Sequence, residues 1–252
     1  MKRFAGVILH PSSFPNDHGI GNFGDSAYRF IDVIAESGFK LWQMCPLGPT
    51  SYGDSPYQCF SAFAGNPYFI NWDDLIANGW IARKDLAHLK SLPKDKVDYG
   101  ALFSAFWPVI NQAFIGFKKE LELSKELQNE LHDFYKSHDF WLYDYCNFRA
   151  LKEHFDNRSH LEWKNKSESK NATHKRNKFT FISTAAEKHA FTQFIFFKQF
   201  RKLKQYANNK GIQLIGDLPI FVALDSADVW ANSILFDLNS ECSPNKVAGV
   251  PP

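Results

Sequence analysis

Apolar positions first cluster in a short run from Phe4 to Leu9, which reads as a β-strand. Asp25 stands where it can cap a helix running to about Ser37, and Gly38 follows where a C-terminal cap belongs. A second compact run, Leu41 to Met44, predicts another buried strand. The same grammar returns late in the chain. Thr184 with Glu187 makes a capping-box pattern, and a Phe-rich helix extends from it to about Asn209. Gly211 ends that helix, and Ile212 to Gly216 predicts a third strand. Helix, glycine, buried strand, twice over, is the pattern of α/β units around a parallel sheet. Between Asp73 and His160 the pattern turns helical, with Leu121, Leu127 and Leu131 along one segment, and reads as an inserted subdomain.

Ser51 to Tyr68 (SYGDSPYQCFSAFAGNPY) has neither periodicity. A segment that cannot bury a continuous apolar face is a loop, and one of this length is elaborate. Tyr52, Tyr57 and Tyr68 offer flat faces with a polar tip, while Asp54, Ser55 and Gln58 offer hydrogen bonds. Flat faces rimmed by short polar groups suit a sugar ring. A loop packed only by its own side chains would have the same composition.

The string GDSPYQCFSAFAGNPYFI resembles the signature loop of the 4-α-glucanotransferases of the amylomaltase family, glycoside hydrolase family 77. HPSSFPNDHGIGNFG, FWLYDYCNFRAL, GIQLIGDLPIFVALDSADVW and KVAGVPP are similar to further family segments, in the same order, across nearly the whole chain. The resemblance implies an α/β fold: a partial (β/α)8 barrel of the TIM type, with about three strands and a helix-rich insertion. Residues 1–70 would hold the first βα units and the substrate loop. Residues 71–180 would form the helical insertion, with a polar loop near 164–178. Residues 181–252 would hold a third unit and the start of a loop lying over the active site.

Barrel function sits at the C-terminal ends of the strands. There the resemblance places HPSSFP, the signature loop, and Asp217 directly after strand three. It implies that Asp54, Ser55, Tyr57, Gln58, Asp217 and Pro251 contact glucan or brace the loops that do, with Pro252 beside them. An Asp217 that merely caps the next turn is the plainer alternative.

Retaining transfer between α-1,4-glucans needs two carboxylates about 5–5.5 Å apart. The resemblance implies a nucleophile in an Arg-x-Asp pattern on a later strand. The only such triplet here is Arg83-Lys84-Asp85, in a polar context that predicts a helix start. No catalytic carboxylate is therefore assigned within the chain, and the pair is expected beyond Pro252. The implied activity is 4-α-glucanotransfer without a cofactor, with residues 1–252 alone inactive. The alternatives are a non-catalytic α-glucan-binding protein, or one half of a split enzyme whose partner is a complementing C-terminal chain.

Other chemistry is weakly represented. A net charge of +2 leaves no footprint for nucleic acid, and the lysine-rich stretch 164–178 reads as a solvated loop. Cys45, Cys59, Cys146 and Cys242 show no metal or redox spacing and fit buried thiols of a cytoplasmic protein. No segment approaches the ~20 apolar residues of a membrane span. GIGNFG (Gly19 to Gly24) matches a dinucleotide fingerprint, but too far from the strand, so a tight turn is the better reading. His154 and His160 lack a third ligand, and no metal site is expected.

Overall fold

The computed structural model describes residues 3–50, 54–163, 180–247 and 249. The polar stretch 164–178, Tyr52, Pro251 and Pro252 lie outside them. Three parallel strands, β1 (Gly6–Ile8), β2 (Leu41–Gln43) and β3 (Gln213–Ile215), pair in that order. Gly6, Leu41 and Gln213 stand in register, as do Ile8, Gln43 and Ile215. Gly6 suits its place, because a Cβ there would lie 2.7 Å from that of Leu41.

Helix α1 (Asp25–Glu36) links β1 to β2, and the long helix α7 (Thr184–Asn209) leads into β3. Both stop where expected: Gly38 and Gly211 take φ of +83° and +77°, which closes a helix at little steric cost. The N-termini differ by one residue. Gly24 occupies the cap of α1, and Asp25 is its first helical residue. Ser183 caps α7 by accepting the Ala186 N–H at 3.3 Å. Glu187 turns instead to Lys118, 3.0 Å away.

Helices α2 (Trp72–Ala77), α3 (Ala87–Lys90), α4 (Tyr99–Leu123), α5 (Lys125–Ser137) and α6 (Leu142–His154) fill the span between β2 and α7. The leucine segment is two helices rather than one. Ser124 breaks it and caps α5, accepting the Leu127 N–H at 3.2 Å. By length and composition alone α4 could cross a membrane, contrary to the sequence expectation. Its Leu102, Phe106, Ile110, Ala113 and Phe117 are nonetheless buried in the core that also holds Trp42, Phe191 and Ile212. Short α8 (Ala227–Ala231) packs against α6.

The sheet is covered on one side only. Trp42 of β2 is fully buried, while Ile8 is 68% and Ile215 38% exposed. Leu218, Ile220 and Phe221, just past β3, are also exposed. Strands open on such a face leave apolar surface and pairing edges uncovered.

Candidate functional site

All three strands run the same way, so the segments after them gather at one end of the sheet. Each is tied to its neighbour. Trp42 donates its indole N–H to Leu9 O at 2.8 Å, and Met44 donates its backbone N–H to Ile215 O at 3.0 Å. His10 Nε2 lies 3.3 Å from Pro46 O, and burial lowers the pKa of the ring. The glycine turn is sterically demanded: Gly19 has φ +82°, and a Cβ on Gly21 would stand 2.1 Å from Pro11 O.

The loop after β2 closes on itself. Thr50 and Cys59 form an antiparallel bridge, Phe60 N–H donates to Pro49 O at 2.9 Å, and Asn66 N–H to Leu47 O at 2.7 Å. It is also clamped to the scaffold by two glutamines of α7. Gln193, fully buried, accepts the Gly65 N–H at 2.7 Å and donates to the Gly65 carbonyl at 2.9 Å. Gln199 repeats the arrangement on Asn71 at 2.8 and 3.0 Å. Each amide imitates a backbone partner where the loop has none. On the other flank, Ala227 N–H donates to Phe60 O at 2.8 Å and Asp228 accepts the Ala62 N–H at 3.1 Å.

Held this way, the tip meets the end of β3. Tyr57 donates its hydroxyl to Asp217 Oδ2 at 2.9 Å across 160 residues of sequence. The Asp217 carboxylate, and next the Cys45 thiol, push the Tyr57 pKa up to about 12, so the phenol stays a donor. Ser55 shapes the turn beneath it, taking the Tyr57 N–H on its Oγ at 3.3 Å and the Gln58 N–H on its carbonyl at 3.1 Å. Tyr57, Gln58 and Asp217 face a cleft of about 490 Å³ with Ile220 and Phe221. Asp54 does not join them. With φ +58°, it lines a separate cavity against α4 and α6, where partial desolvation raises its pKa. Pro251 lies outside the described residues.

Asp225, immediately before the Ser226 cap of α8, anchors this segment to α6. It accepts Lys152 Nζ at 2.5 Å and the His160 N–H at 3.0 Å, contacts that hold its pKa down to about 2 against desolvation. Arg83-Lys84-Asp85 begins a 3₁₀ turn on the surface, where Asp85 accepts the Ala82 N–H at 2.7 Å. Among the described residues no three His, Cys, Asp or Glu side chains gather as metal ligands. Sequence reasoning placed Tyr57 and Asp217 at one end of the sheet but missed their bond. It also missed Gln193 and Gln199, whose signal was two glutamines set among the phenylalanines of that helix.

The family model described as 4-alpha-glucanotransferase matches residues 9–252. The chain belongs to glycoside hydrolase family 77. A 4-alpha-glucanotransferase of Thermus thermophilus is 41% identical over 252 residues, which is 100% of this chain and 49% of the relative. One from Clostridium butyricum is 41% identical over 97% of this chain and 49% of its own length. The amylomaltase of Streptococcus agalactiae, solved in complex with acarbose, superimposes with a TM-score of 0.90 at 41% identity. That match covers 99% of this chain and 50% of the other. Amylomaltase from Corynebacterium glutamicum, at 18% identity and a TM-score of 0.70, shares the fold. The chain thus spans about half the length of the curated relatives it matches, and its three parallel strands with their helices form part of a family 77 barrel.

Proposed function

We propose that this chain supplies the glucan-binding wall of a 4-α-glucanotransferase, which moves α-1,4-glucan segments between maltooligosaccharides by retaining double displacement. The observation that carries the reading is the Tyr57–Asp217 hydrogen bond at the C-terminal end of the sheet, facing a cleft lined by Gln58, Ile220 and Phe221. A carboxylate that already holds a phenol keeps further lone pairs for sugar hydroxyls, and the exposed faces of Tyr57 and Phe221 match the apolar face of a pyranose. Asp54 and Ser55 act as braces: one turns the loop through its left-handed conformation, the other closes the turn under Tyr57. The reaction runs in the cytoplasm and uses no cofactor.

The nucleophile and the acid lie outside this wall. Asp217 and Asp54 face different cavities, so neither serves the other as the second carboxylate of a retaining pair. Maltotriose offered to the whole enzyme is disproportionated to glucose and longer oligomers, and Asp217→Ala lowers kcat/KM by about 100-fold, the scale of a lost charge-assisted contact to substrate. Residues 1–252 alone release no glucose. Rapid release by them would return Asp54 and Asp217 to consideration as catalytic groups.

A further inference from the structure

Arg149 on α6 has no part in the cleft beside Asp217. Its side chain is buried, 7% exposed, and stacks on the Phe60 ring with the guanidinium carbon 4.5 Å from the centroid. Among the described residues it has neither a hydrogen-bond acceptor nor an ion-pair partner. Its neighbour Lys152, one turn on, is fully met by Asp225 and Arg158 O. A guanidinium so enclosed and without an anion keeps its five N–H donors available to an oxyanion.

Arg149 lines a cavity of about 590 Å³ together with Tyr68, Tyr99 and Trp107 and the amides of Asn66 and Asn157. Asp54, the carboxylate lining the same cavity, lies beyond ion-pair distance of Arg149. Aromatic faces with amide rims fit a sugar ring, and a planar five-donor fork fits an oxyanion held by two parallel bonds. We propose that this cavity is a binding site for an anionic sugar, a pyranose bearing a phosphate or a carboxylate, with the oxyanion on Arg149. It is separate from the Tyr57–Asp217 cleft and does not rest on the glucan reading.

Isothermal titration of the full chain with glucose 6-phosphate and with glucuronate tests this and distinguishes the two oxyanions. One of them is expected to bind with Kd below about 1 mM, while glucose and inorganic phosphate bind at least about tenfold more weakly. Arg149→Met, which keeps the packing on Phe60, is expected to lose about tenfold or more, and Arg149→Lys to lose part, since an ammonium cannot fork. Saturation by neither anionic sugar overturns the proposal. So does equal binding by Arg149→Met, equal binding by glucose, or equal binding by inorganic phosphate, which would mark an adventitious anion only. Should Arg149→Met fail to fold, Arg149→Lys and the wild-type comparison of charged with uncharged sugar decide the matter.

Discussion

Replacing Gln193 by Leu removes one end of the clamp that fixes the loop after β2. The substitution preserves most of the volume and places an apolar group in a fully buried position beside Gly65, against which the Phe196 ring packs. What it deletes is both bonds to Gly65, the 2.7 Å bond from its N–H and the 2.9 Å bond to its carbonyl. No replacement partner can enter, because a Cβ on Gly65 would already stand 2.1 Å from the Phe196 ring. Each buried backbone group left without a partner costs about 1–3 kcal/mol. Two such groups, partly offset by the better desolvation of Leu, give a net loss of about 2–4 kcal/mol. For a chain of this size that is a fall in Tm of about 5–15 °C. Urea unfolding followed by tryptophan fluorescence measures it directly. Gln199→Leu, acting on Asn71, should show a similar loss, and the double variant should be additive within about 0.5 kcal/mol. A loss below about 0.5 kcal/mol for Gln193→Leu would refute the clamp, because the Gly65 groups would then be satisfied elsewhere.

Two further perturbations probe the charged groups under the site. His189 is fully buried with its Nε2 2.8 Å from Glu153 Oε1 and its Nδ1 unpartnered, the arrangement of a neutral ring donating to a carboxylate. Desolvation lowers its pKa to about 4 from 6.5, outweighing the Glu153 contact. The unfolded chain therefore binds this proton first, so stability should fall as pH drops from about 6.5 towards 4, and His189→Gln should flatten that part of the urea-midpoint profile. A profile unchanged by the substitution would mean that other groups set the slope. For Lys152 and Asp225, the outcome should be asymmetric. Asp225→Ala leaves the Lys152 ammonium, whose side chain is 2% exposed, with the Arg158 carbonyl but no counter-ion, and should cost about 3–5 kcal/mol. Lys152→Met leaves Asp225 partly exposed and still bonded to His160, and should cost less. Chemical denaturation of both variants ranks them, and the reverse order would contradict the reading.

Much of the scaffold was legible because glycine and short apolar runs mark strands and helix ends by local physics. Gly38 and Gly211 adopt the positive φ that their positions implied. The capping residues were harder. Gly24 and Asp25, or Ser183 and Thr184, are adjacent candidates, and only the hydrogen bonds show which one stands outside the helix. The Ser124 break was hidden because leucine spacing continues across it, and a serine inside a helical pattern is tolerated as well as a cap. At the site, the two ends of the Tyr57–Asp217 bond were each placed by following a strand. Their pairing across 160 residues depends on register, which no local pattern encodes. The separation of Asp54 from Tyr57 has the same origin. Three residues apart, they line different cavities, and Asp54 takes a left-handed φ that a sequence of this composition does not announce.

The most direct measurement is calorimetric titration of maltoheptaose into the full chain, its Tyr57→Phe variant and its Asp217→Ala variant. The wild type should bind saturably. Removing the Tyr57 hydroxyl should weaken binding about three- to tenfold and removing the Asp217 carboxylate should weaken it more, with unfolding midpoints little changed, since the bond between them is solvent-exposed. Maltoheptaose that binds all three proteins equally, or none of them, would contradict the claim that the end of β3 and the tip of the loop form the glucan-binding wall.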